Sequence, residues 1–412
     1  LGAEQMSRSG DSDAASALQR VTGLTVVGGK YVYVRGLGER YSASLLNGST
    51  LPSPEPERRV VPLDLFPTSL LESVTIQKTF SPDRPAEFGG GVVALQTRSV
   101  PEEFMARLSV SSGYTHGATF QQGAIGHRGP LDWLTFGRGS RNLPASVQSA
   151  SDGSPLEETD MFSSRGYTAE ELEALGEDMS NHWGIEQGTA MPDMGLAATI
   201  GNGIGEDDGL RFGYLASLLW NNGWDRDVFQ RQYFLVGAED QLELAHSYTF
   251  ESLVQESRLG GALALSAEFG ENHSVQSTTL LNRSSDLTTR IYSGMNRDVG
   301  SDIRVTRIRW VERQLFFQHL TGSHTLPQAS DIIVDWRYAY SNASRHEPDR
   351  REFRVDLEPD TDDWYLSDRP EGNSIFYSDL DDDNHDTGVD LTVPFRLPWT
   401  TAEGSFFKFG SS

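Results

Sequence analysis

From Leu210 to Trp220 every second residue is apolar or aromatic: Leu210, Phe212, Tyr214, Ala216, Leu218 and Trp220, with Arg211, Gly213 and Ser217 between them. A two-residue period belongs to an extended strand with one face against an apolar medium and the other against water. The same alternation returns at the odd positions of Leu259–Phe269, at Ile332, Val334, Trp336, Tyr338 and Tyr340, and at Val389, Leu391, Val393, Phe395 and Leu397. About nine such strands of membrane-crossing length are expected from Phe104 onward. A soluble β-sandwich alternates too, so period alone leaves the apolar medium open between a protein core and lipid.

No stretch approaches the roughly 18 consecutive apolar residues of a membrane helix. That removes a helical membrane protein and leaves a barrel, whose strands carry a weaker signal. Hydrophobic residues make up 37% of the chain while 10% are aromatic and 41 residues are glycine, which suits wet β structure better than a helical enzyme. The aromatics gather toward strand ends (Phe212, Tyr214 and Trp220; Trp336, Tyr338 and Tyr340), as interfacial girdles do. Short connections at Gly203–Asp208, Gly270–Asn272 and Trp399–Glu403 contrast with long polar ones predicted at about 117–191, 224–240, 289–302 and 345–387. Short turns on one side and long loops on the other are a barrel pattern.

The first hundred residues differ. Asp11 to Val21 reads as a short helix, capped by Asp11 or Ser12, with Ala14, Ala17, Leu18 and Val21 at helical spacing. Val26–Val34 is a hairpin around Gly28-Gly29, and Asn47-Gly48 makes a second tight turn. Leu63–Leu71 is a turn-rich helical stretch broken by Pro67, followed by strands at Val74–Lys78 and Val92–Thr97. Together these predict a compact α+β unit. The opening Leu1-Gly2-Ala3-Glu4 carries no initiator Met or apolar leader, and the last residues read as a strand, so the expectation is a chain cut from a longer one.

In order along the chain stand Val21-Thr22-Gly23-Leu24 at a helix end, a strand closing on Arg35-Gly36, the Asn47-Gly48 turn, a Leu71-Glu72-Ser73-Val74 strand leading to Lys78, and a Phe88-Gly89-Gly90-Gly91 run into a strand ending at Thr97. This ordered set resembles the plug of TonB-dependent outer-membrane receptors. The resemblance implies a transmembrane antiparallel β-barrel of about 22 strands, incomplete here. An α+β plug domain, residues 1–101, would lie in the lumen, and 102–412 would be the N-terminal portion of the barrel. It further implies active uptake of a scarce ligand (chelated metal, glycan, peptide or vitamin), with the plug toward the periplasm and long loops outside the cell. The partners implied are the TonB–ExbB–ExbD coupling complex, outer-membrane lipid, an extracellular ligand and other outer-membrane proteins; no segment here reads as the box that contacts TonB. Arg35 is read as a structural partner for plug carboxylates, since buried Arg usually pairs. Gly89, Gly90 and Gly91 are read as a close backbone approach rather than a phosphate cradle, which needs a following Lys-Ser/Thr and a helix.

Chemistry is thinly marked. Lys and Arg total 34 against 59 Asp and Glu, a net charge of −25, which opposes nucleic-acid binding. There is no cysteine, hence no disulfide, thiolate site or Cys nucleophile, and the nine histidines lack metal spacing. No enzyme is expected. Asp379, Asp381 and Asp383 have the spacing of a calcium loop with Asp390 at its twelfth position, although Asn384 stands where Gly is required; a calcium site and a solvated acidic loop both fit. Two other readings of the whole remain: a non-transporting structural or adhesive barrel subunit of a surface complex, and a soluble carbohydrate-binding β-sandwich.

Overall fold

The computed structural model describes residues 1–9, 13–38, 41–56, 61–79, 91–152, 155–159, 166–205, 209–237, 241–369, 372–395 and 405–411. The N-terminal unit opens with α1 (Ala3–Ser9) and α2 (Ala14–Leu18), the latter capped by the Asp13 side chain, which accepts from the Ser16 N–H. Capping therefore falls one residue later than Asp11 or Ser12, both of which lie outside the described residues. The hairpin of β1 (Leu24–Val27) and β2 (Tyr31–Val34) turns on Gly28 and Gly29 at φ +62° and +67°, a conformation only glycine adopts without strain. A second sheet runs β4-β3-β6-β5, with β3 (Ser42–Leu46), β4 (Ser49–Thr50), β5 (Leu71–Gln77) and β6 (Gly91–Thr97). Two 3-10 turns, Leu63–Leu65 and Thr68–Leu70, meet at Pro67. Met6, Leu18, Val34, Leu46, Phe66 and Leu95 form its buried core.

The large sheet is antiparallel. Its path runs β18-β17-β15-β14-β13-β12-β11-β10-β7, with β16 beside β15. The strands are β7 (Met105–Gly113), β10 (Asp193–Gly205), β11 (Leu210–Val236), β12 (Leu242–Phe269), β13 (His273–Asn296), β14 (Ser301–Leu326), β15 (Ile332–Leu357), β16 (Trp364–Leu366), β17 (Asn373–Phe395) and β18 (Ser405–Ser411). Among the described residues its outermost strands, β7 and β18, do not pair with each other, so the sheet is open.

Strand length corrects the sequence reading. β11 to β15 and β17 hold 23 to 28 residues each, where about 9–11 cross a bilayer. Most of the loops expected at 224–240, 289–302 and 345–387 are continuations of strands: β11 reaches Val236, β13 ends at Asn296 and β14 starts at Ser301, and β15 and β17 leave only 358–372 between them. Charged residues on both faces hid these halves. They pair through cross-strand contacts such as Arg226–Glu251 at 2.9 Å and the Arg307–Glu352 ion pair. Trp399–Glu403 lies outside the described residues.

The two faces of the sheet differ. Leu219, Leu280, Leu315, Phe317, Ala339 and Ala343 are buried in one cluster with the N-terminal unit. One residue along each strand, the opposite face leaves Leu196, Ile200, Phe212, Leu218, Leu263, Leu265, Leu281 and Val389 exposed. Registers Ala198↔Leu218, Leu218↔Gly261 and Gly261↔Leu281 join them into one apolar band across neighbouring strands.

The connection from β7 to β10 has structure of its own: β8 (Gln122–Ile125) pairs β9 (Glu186–Thr189), with α3 (Ala145–Ser151) and α4 (Ala169–Asp178) between. It packs on the outer face, the one turned away from the N-terminal unit. Ile125 and Ala190 share a core with Trp224, Leu253, Leu287 and Trp310 of the sheet, and the Gly126 N–H donates to Thr289 Oγ1 at 2.8 Å. His127 stacks on His182 at 3.6 Å, and His182 Nδ1 lies 3.1 Å from Asp349 of β15. Burial, then the neighbouring His182 and Arg141, hold the His127 pKa below its ordinary value, outweighing Asp132 and Asp349. The unfolded chain binds this proton better, so the contribution of His127 is intact above about pH 6.5 and lost as pH falls below it. Hydrogen exchange at 122–141, corrected for intrinsic rates, is expected to be faster at pH 5 than at pH 8, with a smaller step in His127→Gln. Equal corrected protection at both pH values would refute this.

Candidate functional site

Charged groups bind the N-terminal unit to the sheet. Arg258 of β12 lies 2.7 Å from Asp13 and 3.7 Å from Asp64, and Lys30 lies 3.4 Å from Asp64. One strand pair away, Arg313 of β14 lies 2.6 Å from Glu55 and 2.6 Å from Asp286 of β13. Asn282 Nδ2 donates to the Leu65 carbonyl at 2.5 Å, and Asn384 Nδ2 donates to the Thr50 carbonyl at 3.1 Å. Burial opposes the charge on Lys30, but Asp286 and Asp64 outweigh it and hold the ammonium above its ordinary range. In pairs with little water access, loss of one partner strands the charge of the other and is strongly destabilising.

The residues marked in advance fall mostly in turns and strand contacts of the N-terminal unit. Arg35 and Gly36 take φ +55° and +77° in an exposed turn. Arg35 is exposed there, and no carboxylate among the described residues pairs with it. Asn47 and Gly48 form the β3–β4 turn at φ +51° and +88°. The Asn47 Oδ1 accepts from the Thr97 N–H at 3.0 Å and its Nδ2 donates to Thr97 Oγ1 at 2.9 Å, which clamps β6. Glu72 accepts from the N–H and hydroxyl of Ser99 at 2.9 and 2.7 Å, and Lys78 donates to the Thr22 carbonyl at 2.9 Å. At Gly91 a Cβ would stand 3.0 Å from both the Gln77 carbonyl oxygen and Val34 Cγ1, so the close approach is real there; Gly89 and Gly90 lie outside the described residues.

The backbone does not form the loop that the calcium spacing suggested. Asp379, Asp381, Asp383 and Asp390 stand on β17, a strand rather than a loop. Alternation puts the first three on one face and Asp390 on the other, so they do not converge. Asp379 contacts His346 and lies 3.4 Å from Arg138, and Asp383 accepts from the Tyr340 hydroxyl at 2.8 Å and Asn342 Nδ2 at 3.0 Å.

A second feature was missed by sequence reasoning. On the face that carries the N-terminal unit, Phe229 stacks on Phe250 at 4.8 Å and Phe250 on Tyr292 at 4.8 Å, while His246 stacks on Tyr248 at 5.9 Å. The Arg231 guanidinium lies 5.7 Å over Phe229 and 5.3 Å over Phe250. Phe250 is eight residues beyond Arg258 on β12, roughly 26 Å along the strand. Phe229, Arg231 and Tyr233 do alternate, but the segment read as a loop. Where the N-terminal unit meets β17, Thr50–Ser53, Glu55, Pro56 and Leu380–Asn384 line an acidic cleft of about 680 Å³.

Residues 1–92 match the family described as TonB-dependent Receptor Plug Domain. No curated protein matches the chain at a significant level. Similar solved structures include BauA, the ferric preacinetobactin receptor from Acinetobacter baumannii (10% identity, 99% of this chain and 59% of that one, TM-score 0.33). The RagAB peptide importer in its open-open state is another (13% identity, 95% and 51%, TM-score 0.38). The copper transporter OprC is a third (12% identity, 97% and 51%, TM-score 0.33). The chain thus spans between 51% and 59% of the length of these three.

Proposed function

We propose that this chain, whose residues 1–92 are a TonB-dependent receptor plug domain, is the N-terminal portion of an outer-membrane importer in which the plug blocks the lumen of a β-barrel. The observation that carries the reading is the asymmetry of the sheet. One face buries the plug, and the other exposes a continuous apolar band that water would not favour and lipid would. Beside that apolar contact the inner face also carries charged groups, with Arg337 3.9 Å from Asp386 and 4.0 Å from Asp390, as a wet lumen requires.

The extended strand halves would then rise outside the cell, and the Phe229–Arg231–Phe250–Tyr292 platform would meet the ligand first. Stacked rings beside a guanidinium favour cargo with a flat face; a chelated metal, glycan, peptide or vitamin of that kind is the expected class. Release toward the periplasm would need the plug to let go of Arg258 and Arg313, with the force supplied through TonB, ExbB and ExbD. Deleting residues 13–97 from the whole protein is expected to give open, steady conductance in planar bilayers and sensitivity of expressing cells to large hydrophilic antibiotics. Conductance unchanged by the deletion, with the protein correctly inserted, would sink the plug reading.

A further inference from the structure

The β7–β10 connection carries an apolar knuckle that the importer reading does not use. The 3-10 turn Asp132–Leu134 leaves Leu131, Trp133 and Phe136 at 46%, 47% and 46% exposure, in a segment otherwise well anchored. The anchors are specific. Trp220 Nε1 donates to the Trp133 carbonyl at 2.7 Å, and the two indoles meet edge to face at 5.8 Å. Arg283 donates to Thr135 Oγ1 at 3.3 Å and lies 4.5 Å over the Phe136 ring. Arg141 and Asp132, both buried, hold the turn from behind through two bonds of 2.9 and 2.8 Å.

Trp220 and Arg283 belong to the outer face, and two residues further along their strands stand Leu218 and Leu281 of the apolar band. The knuckle therefore prolongs the band at the edge where alternation gives way to the charged strand halves. Tryptophan and phenylalanine beside arginine are what the boundary between acyl chains and headgroups selects.

We infer that Leu131, Trp133 and Phe136 form a membrane-interface anchor, by which the β7–β10 connection folds down the outside of the sheet and seats in the lipid headgroup layer. The inference rests on the band being lipid-facing, and its test separates the two. These 412 residues contain no cysteine, so single spin labels can be placed by Leu131→Cys, Phe136→Cys, Leu218→Cys and Glu173→Cys. The whole protein, free of any other cysteine, is studied in phosphatidylcholine–phosphatidylglycerol vesicles.

Oxygen collisions should dominate at residue 218 and nickel-chelate collisions at 173, with 131 and 136 between them and severalfold less accessible to nickel than 173. If 218 reports lipid while 131 and 136 match 173, the anchor is wrong and the barrel reading stands. If 218 itself reports water, both fall. Brominated lipid provides a check without labels: it should quench tryptophan emission less in Trp133→Phe than in the parent, and equal quenching would overturn the anchor.

Discussion

Arg313→Ala is expected to loosen the plug more than any other single change at its interface, by about 3–5 kcal/mol, because it leaves carboxylates in a poorly hydrated seam without their cation. Arg313 keeps 7% side-chain exposure, and its partners Glu55 and Asp286 keep 17% each. Glu55 comes from the plug and Asp286 from the sheet, so the guanidinium is shared between the two bodies, and removing it breaks the joint rather than either part. The urea transition of the plug, followed by hydrogen exchange at 61–77, should fall well below that of the parent while the sheet transition stays near its place. Adding Glu55→Gln and Asp286→Asn should recover much of the loss, since neither position then holds a carboxylate that has lost the Arg313 cation. A plug transition unmoved by Arg313→Ala would show that apolar contacts alone hold it.

Arg141→Leu should have a comparable effect on the outer side. Arg141 and Asp132 are each only 4% exposed at the side chain and form a bidentate pair, with the guanidinium also donating to the Gly137 and His127 carbonyls at 2.8 and 2.6 Å and lying 4.6 Å over Trp310. Leucine removes the cation and leaves the Asp132 carboxylate buried without it, about 3–5 kcal/mol for a pair of this kind. Protection at 122–141 should collapse while β12 and β13 keep theirs. Arg141→Lys should restore only part of it, because an ammonium cannot reproduce the fork. Retained protection in Arg141→Leu would mean that the Ile125–Leu253–Trp310 core carries the segment by itself.

Much of this architecture was legible in the chain before any coordinates. The Gly28-Gly29 and Asn47-Gly48 turns are local: positive φ at neighbouring residues is written in the residue types themselves. The order of plug elements could be read because each is marked by nearby capping or turn residues. Alternation through Leu210–Trp220 and Leu259–Phe269 placed both faces of those strands correctly, since a face shared with an apolar medium imposes its period on the sequence. The same signal failed beyond Trp220 on β11 and on the far half of β15, where charged residues such as Asp225, Arg226, Arg350 and Arg351 interrupt the apolar period on both faces. There strand identity depends on partners such as Arg226 with Glu251, 25 residues apart.

The candidate site was legible in smaller part. Asp379, Asp381 and Asp383 suggested a metal loop because spacing in sequence resembles spacing in space only if the backbone curls, and β17 keeps it extended. Arg258 and Arg313 carried no mark at all. Their meaning comes from Asp13, Asp64 and Glu55, which are between 194 and 258 residues away in the chain.

By itself, the sequence determined the elements, the turns and which face of each regular strand is apolar, because those follow from conformational preference and hydrophobic period over a few residues. Only the tertiary structure decided which charges meet across the plug interface, how far the strands run, and that the β7–β10 connection lies on the outer face. Each of these is a matter of long-range pairing, in which the free energy belongs to two distant segments brought together and to neither alone.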